Sequence, residues 1–369
     1  MKPCMHNQHR PTTISLREFL KAMGVATAGL TLAGCQFKVP EIGGVSDQKP
    51  AVAIARAASY DRKLIRRQVE RLLDRIGGLK DVLAHGNRVA IKTNLTGGIK
   101  QKPLPGIPEI ESYLTHPEVV RALGELLRDA GVKDLFIVEA VYEKESLTQY
   151  GYEDMAKSIG ATLVDLNYEE PYKDFITPSP GDKPFFYDKF IFNPILSEVD
   201  AFVSVSKMKC HNTAGVTHTM KNLFGLVPYR FYTMNPEDTY RSGFHGEGEA
   251  AKERVPGIII DLNRTRPIHL SLIDGIMTTE AGEGPWVKAM AQIKPGLMFA
   301  GKNPVATDAV ATAAMGYDPT ADFPNEPFVH AVNHLNLAAQ AGLGTNRLEE
   351  IKVVGEPLEE VTVRFKTSY

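Results

Sequence analysis

The chain has 369 residues, 43% of them hydrophobic and 23% charged, a balance that excludes both wholesale disorder and a bundle of membrane spans. Its formal net charge is -2, without the strongly basic character that nucleic-acid binding usually requires, so no nucleic-acid partner is expected. Three cysteines, Cys4, Cys35 and Cys210, set an upper limit on disulfide chemistry.

The first segment reads as an export leader. Lys2, Arg10, Arg17 and Lys21 supply a basic start, and the apolar stretch from Ala22 to Ala33 is well short of the ~20 residues that a transmembrane helix needs. Leu32-Ala33-Gly34-Cys35 then forms a lipobox, so residues 1–35 are expected to be a signal peptide and Cys35 the site of lipidation. The expected location is outside the cytoplasmic membrane, on the periplasmic or outer-surface side, with the membrane as a partner through the lipid anchor. Ser15-Leu16-Arg17-Glu18-Phe19-Leu20-Lys21 resembles a twin-arginine export signal, with Leu16 where the first arginine belongs. That departure leaves the twin-arginine and general secretory routes both open. Processing would remove Cys4 and lipidate Cys35, leaving Cys210 as the one thiol and no intramolecular disulfide.

Residues 36–50 mix Gly, Pro and polar side chains and read as a tether. The body, 51–369, is long enough for one α/β domain or for two packed halves, 51–195 and 196–369. Ala51–Ala57 predicts a strand. A helix follows from Asp61 to about Ile76, with Leu64, Ile65, Val69, Leu72 and Leu73 on one face. Arg88–Asn94 predicts a buried strand entering a Gly- and Pro-rich loop. Thr115-x-x-Glu118 has the form of a capping box, with Pro117 in the first turn and Gly131 as the stop. Strands at Leu135–Glu139 and Thr162–Leu166 then flank a helix at Glu153–Ile159.

Further on, Ala201–Ser206, Ile268–Asp274 and Leu297–Ala300 predict strands, and Val255–Asn263 a helix. Asn303-Pro304 opens an alanine-rich helix that closes near Gly316. Strand and helix alternate at βαβ spacing, which predicts an α/β fold: a mainly parallel sheet with helices on both faces. Residues 226–254, with Tyr229, Arg230, Phe231, Tyr232, Arg241, Phe244 and His245, have no clear period and read as a site wall or a surface excursion.

The densest chemistry follows the strand at 201–206: Lys207, Lys209, Cys210, His211 and Asn212, then His218, Lys221 and Asn222. The carboxyl ends of strands in an open α/β sheet are where ligands bind. Lys92, Asn94, Lys207, Lys209, Lys221 and Asn222 are accordingly candidates for binding a small carboxylate or phosphate. His211 is the candidate proton-transfer group, with Asp274, Glu283 and Asp308 as opposing acids, bases or ligands. His211 and His218 are the candidate ligands for a divalent metal, although their spacing matches no recognised zinc pattern.

Lys207-x-Lys209-x-His211, Thr217-x-x-x-Lys221-Asn222-x-x-Gly225, Asp274-Gly275 with Glu283-Gly284-Pro285, and Gly301-Lys-Asn-Pro-Val-Ala-Thr-Asp308 together resemble the family called domain of unknown function 362. The likeness runs from about residue 50 to 318 and implies an α/β body. Some relatives carry a ferredoxin-like cysteine cluster. This chain has no Cys-x-x-Cys-x-x-Cys run, so an iron–sulfur cluster is not expected. Two functions remain open: an enzyme acting on a small anionic substrate by acid/base or metal-assisted chemistry, and a lipid-anchored protein that binds an anion without turnover.

Overall fold

The computed structural model describes residues 48–101 and 104–367. The leader, Cys35 with its lipobox and residues 36–47 of the expected tether lie outside them. The described body, from Pro50 onward, forms one compact unit.

Among the described residues twelve strands run in chain order: β1 Ala51–Arg56, β2 Arg88–Lys92, β3 Asp134–Glu139, β4 Thr162–Asp165, β5 Ala201–Lys207, β6 Cys210–His211, β7 Gly215–Val216, β8 Leu270–Gly275, β9 Thr278–Glu280, β10 Ala291–Ile293, β11 Leu297–Gly301 and β12 Lys352–Gly355. Eight of them make a single sheet in the order β12-β1-β11-β8-β5-β2-β3-β4. Every neighbouring pair is parallel except the two made by β11, which runs antiparallel to β1 and β8. The fold is therefore α/β with a mainly parallel sheet, and that sheet runs without a break through both of the halves that the length allowed.

Among the described residues the helical layers around this sheet include α1 Arg62–Arg75, α2 Pro117–Asp129, α3 Ala251–Thr265, α4 Pro304–Ala314 and α5 His334–Gln340, and a further helix, Tyr152–Ser158, packs on α2 and β4. Strand side chains alternate between the two faces of the sheet. Ala53, Ala55, Val89, Ile91, Val203, Val205, Leu270 and Leu272 pack in one core with Ile65, Val69 and Leu72 of α1 and Val119, Val120 and Leu123 of α2. The alternate residues, Val52, Ile54, Phe202 and Ile273, are equally buried. On that second face α4 packs against β1, β8 and β11, and α3 against α5. Burial on both faces explains why the strands read as continuous apolar runs.

The helix termini follow their sequence signals with one exception. Asp61 caps α1 by accepting from Leu64 N, and Asn303 caps α4 by accepting from Ala306 N, with Pro304 at the first position. The expected capping box at Thr115 does not form. His116 is the N-cap of α2, its Nδ1 accepting from Glu118 N at 3.1 Å. Thr115 is diverted into the sheet edge, where its hydroxyl donates to Val205 O and accepts from Asn94 N. A buried backbone carbonyl in need of a donor outcompetes the cap.

Candidate functional site

Parallel strands all deliver their carboxyl ends to one edge of the sheet, and there the chain forms a cavity of about 860 Å³, a volume within the usual range for small-molecule sites. Lys92, Asn94, Lys209, His211, Lys221, Asn222 and Glu283 of the expected set line it. Lys207, Asp274, Asp308 and His218 do not.

Strand parity explains the first two exceptions. Lys207 and Asp274 are directly paired in register on β5 and β8, and both follow the alternation of Val203, Val205, Leu270 and Leu272, the face covered by α1 and α2. There they form an ion pair of 2.9 Å with both side chains fully buried. Asp308 is buried at α4 and accepts from Thr219 N and Met220 N, each at 2.9 Å, and from the Thr219 hydroxyl. Burial raises its pKa to about 7, against the pull of those hydrogen bonds. It pins the turn 218–221 and so acts on the cavity only by positioning Lys221. His218 is fully buried in that turn with φ +41, and neither ring nitrogen has a hydrogen-bond partner.

Within the cavity the carboxylates are already engaged. Glu139, at the end of β3, accepts from Leu95 N, Ala140 N and Lys92 Nζ, the last at 2.8 Å. Glu143 accepts from Ile99 N and Lys100 N. Glu283 accepts from Asn212 N at 3.0 Å and from Trp286 Nε1 at 2.8 Å. Each acid holds a loop that walls the site. Lys92 is equally committed, since Thr93 O, Asn222 Oδ1 and Glu139 take all three of its hydrogens. Gly225 lies across this pair, where a Cβ would collide with Glu139 Oε1 and Lys92 Nζ, which gives the motif glycine its reason.

Lys100 lies 3.9 Å from Glu143, whereas three further cations have no such partner. Lys209 Nζ donates to Tyr113 O at 2.7 Å. Lys221 Nζ makes no hydrogen bond to the described residues and lies 4.1 Å from the centre of the Phe224 ring. Arg241 donates to Val227 O, Ala140 O and Tyr142 OH. Among the described residues none of these three has a carboxylate within 4.0 Å. Burial pushes the pKa of Lys209 and of Lys221 down to about 7, with Glu283 opposing in each case and neighbouring cations adding to the fall.

His211 has its pKa held well below the ordinary value, first by burial and then by Lys221 and His245. Its Nδ1 accepts from Thr213 N and Ala214 N, both at 3.2 Å. The neutral ring therefore carries its hydrogen on Nε2, which makes it a hydrogen-bond donor toward a ligand. With Nδ1 occupied, this tautomer has no free electron pair to accept a proton from a ligand, so of the expected proton-transfer roles it offers donation. Two buried acceptors, Asn94 Oδ1 and Thr217 Oγ1, border the cavity without partners. Among the described residues no three His, Cys, Asp or Glu side chains group as a metal centre. His218 also lies apart from the cavity that His211 lines.

Part of the irregular segment 226–254 walls the cavity, and part of it, with Phe231 and Met234, is exposed. Tyr229, Tyr240, Arg241 and His245 line the cavity, while Tyr232 and Phe244 turn inward to the core. Glu139, Tyr142 and Trp286 are not singled out by sequence reasoning, yet Glu139 ends an apolar strand and Trp286 is the one tryptophan of the chain. A Cβ on Gly284 would collide with the Trp286 indole, so this motif glycine keeps the ring against the loop.

A thylakoid-associated protein of Synechocystis sp. is 25% identical over 298 residues, covering 80% of each chain. Among solved structures, the lactate racemase apoprotein from Thermoanaerobacterium thermosaccharolyticum is 14% identical with a TM-score of 0.37, covering 69% of this chain and 54% of that one. A structural-genomics protein from Thermotoga maritima is 11% identical with a TM-score of 0.30, covering 68% and 57%. This chain thus spans little more than half the length of either. The family model described as "Domain of unknown function (DUF362)" matches residues 89–313, more than half of the sequence, and the chain belongs to that family.

Proposed function

We propose that the cavity binds a small anionic molecule and transforms it by proton transfer. One observation carries this reading: Lys209, Lys221 and Arg241 border the cavity with no carboxylate at ion-pair distance among the described residues. Buried cations without counter-charges are costly, and an entering carboxylate or phosphate removes that cost. In this reading Lys209 and Arg241 hold the anion, Lys221 in its neutral form takes the proton, and the Nε2 hydrogen of His211 meets developing negative charge. Capture without turnover is the second reading, favoured by the engagement of Glu139, Glu143 and Glu283 in holding loops. A divalent metal stays open as a cofactor of the first reading.

Trp286 stands in the cavity wall, so its emission should respond saturably to inorganic phosphate or a small carboxylate and not to matched chloride. At about 100 times the dissociation constant the anion should stabilise the fold by about 2.7 kcal/mol. Lys209→Met with Lys221→Met should abolish both responses and still fold, because it removes unpaired buried charge. Exposed Lys157→Gln with Lys173→Gln should change neither response. Equal responses in the two double variants would end the anion-site reading.

We also propose that the protein is exported and held at the membrane by lipid on Cys35, from the basic start, short apolar stretch and lipobox. Cys35→Ser should leave an uncleaved precursor or release protein from the membrane fraction. Unchanged processing and fractionation would refute the anchor.

A further inference from the structure

We propose that Lys221 is a nucleophilic amine, and that the anion taken by the cavity carries an aldehyde or ketone carbonyl with which this amine condenses to a Schiff base. The inference rests on the anion-site reading and narrows its substrate class.

Four lysines are buried at this edge of the sheet, and their partners separate them. Lys92 and Lys207 each face a carboxylate, at 2.8 and 2.9 Å. Lys209 is anchored to the Tyr113 carbonyl. Lys221 has neither; its ammonium rests on the Phe224 ring and opens on the cavity. Its backbone is fixed, because Asp308 holds the two amides just before it. The charged groups that act on it are Glu283, which favours the ammonium, and Arg241 and Lys92, which disfavour it. His211, His245 and His334 feel its charge in turn. Burial among cations leaves a substantial share of neutral amine near pH 7, and a neutral amine has the free electron pair that condensation needs.

The step is balanced without an oxidant or reductant. The Nζ electron pair bonds to the carbonyl carbon, and the carbonyl π pair moves to oxygen, which takes a proton. Loss of that oxygen as water then forms C=N, so amine plus carbonyl gives imine plus water.

The test uses the full-length protein and pyridoxal 5′-phosphate, a phosphate that bears an aldehyde, at substoichiometric amounts with borohydride reduction and peptide mapping. At pH 7 a lysine with a pKa near 7 has about a thousand times more free amine than a surface lysine near 10.4. Label on Lys221 should therefore exceed that on exposed Lys157 by about tenfold or more. Lys221→Arg, which keeps the charge and removes the amine, should lose that label while Lys157→Arg keeps it. Label on Lys209 instead, or spread over exposed lysines with Lys221 untouched, overturns the inference. Propionaldehyde, which has no charge, separates the two readings. If it labels Lys221 in a protein whose Trp286 emission ignores phosphate, the amine stands and the anion site falls. If Trp286 responds to phosphate while Lys221 takes neither label, the anion site stands and the amine falls.

Discussion

Asp274→Ala should lower the unfolding free energy by about 3–5 kcal/mol, the usual cost of removing one partner of a buried ion pair. The carboxylate serves four groups at once. Oδ2 accepts from Lys207 Nζ and from His116 N, at 2.9 and 3.0 Å. Oδ1 accepts from Tyr60 OH and Ile276 N, at 2.9 and 3.2 Å. Through these contacts one side chain ties β8 to β5, to the start of α2 and to the segment before α1. Its loss strands an ammonium with no exposure to water, and burial already disfavours that charge. Replacing both partners, Lys207→Met with Asp274→Leu, should recover much of the loss, because it removes the uncompensated charge. Since the pair sits on the α1 and α2 face, Asp274→Ala should leave the phosphate response of Trp286 intact at temperatures where the variant is folded. Denaturant unfolding reads the first claim and fluorescence titration the second. A loss below about 1 kcal/mol, or a vanished phosphate response in folded protein, would show that Asp274 belongs to the site after all.

That contrast marks how far the sequence can be read. The alternation of strand and helix predicts the mainly parallel sheet that forms, and the polar residues clustered after β5 lie at the edge where its parallel strands end. Lys92, Asn94, Lys209, His211, Lys221, Asn222 and Glu283 do share a cavity. Lys207 and Asp274 group with them in sequence because both end strands, but an end of a strand has two sides. Parity against Val203, Val205 and Leu272 puts them on the opposite face. Asp308 resists reading for a different reason: its partners, the Thr219 and Met220 amides, lie about ninety positions earlier in the chain, and no local pattern reports such a contact. The tautomer of His211 depends on two backbone amides of the tight turn between β6 and β7, which exists only once that turn has folded. Arg241 and Tyr240 lie in a stretch without periodicity, so the sequence shows that the stretch is unusual and leaves open what it covers.

Mild acid should unfold this protein steeply, and the cause is a set of histidines folded in their neutral form. Burial lowers the pKa of His218 and His334 to about 3 and of His116, His245 and His269 to about 4, and holds His211 well below its ordinary value. In the unfolded chain each titrates near 6.5. Between about pH 6.5 and 4 the unfolded state thus binds protons that the folded state refuses, so stability falls as pH falls through that window. Four carboxyls act in the opposite sense. Burial raises Asp308 to about 7 and Asp261 to about 6, and lifts Glu139 and Asp165 above the usual carboxylate range. The folded state keeps the protons of Asp308 and Asp261 near pH 5 while the unfolded chain has largely lost them, and Glu139 and Asp165 shift in the same direction. Six histidines against four carboxyls leave a net uptake of at least about two protons on unfolding, a slope of about 3 kcal/mol per pH unit near pH 5. Against a total stability of the order of 5–15 kcal/mol, such a slope removes about 7 kcal/mol between pH 6.5 and 4. Urea unfolding at half-unit intervals from pH 7 to 4.5 measures the slope directly. His334→Leu removes one such proton from a fully buried ring and should flatten it by about 1.4 kcal/mol per pH unit. A stability that stays level from pH 7 to 5, or a slope unchanged by His334→Leu, would mean that these rings take up protons in the folded state and that the core opens to admit them.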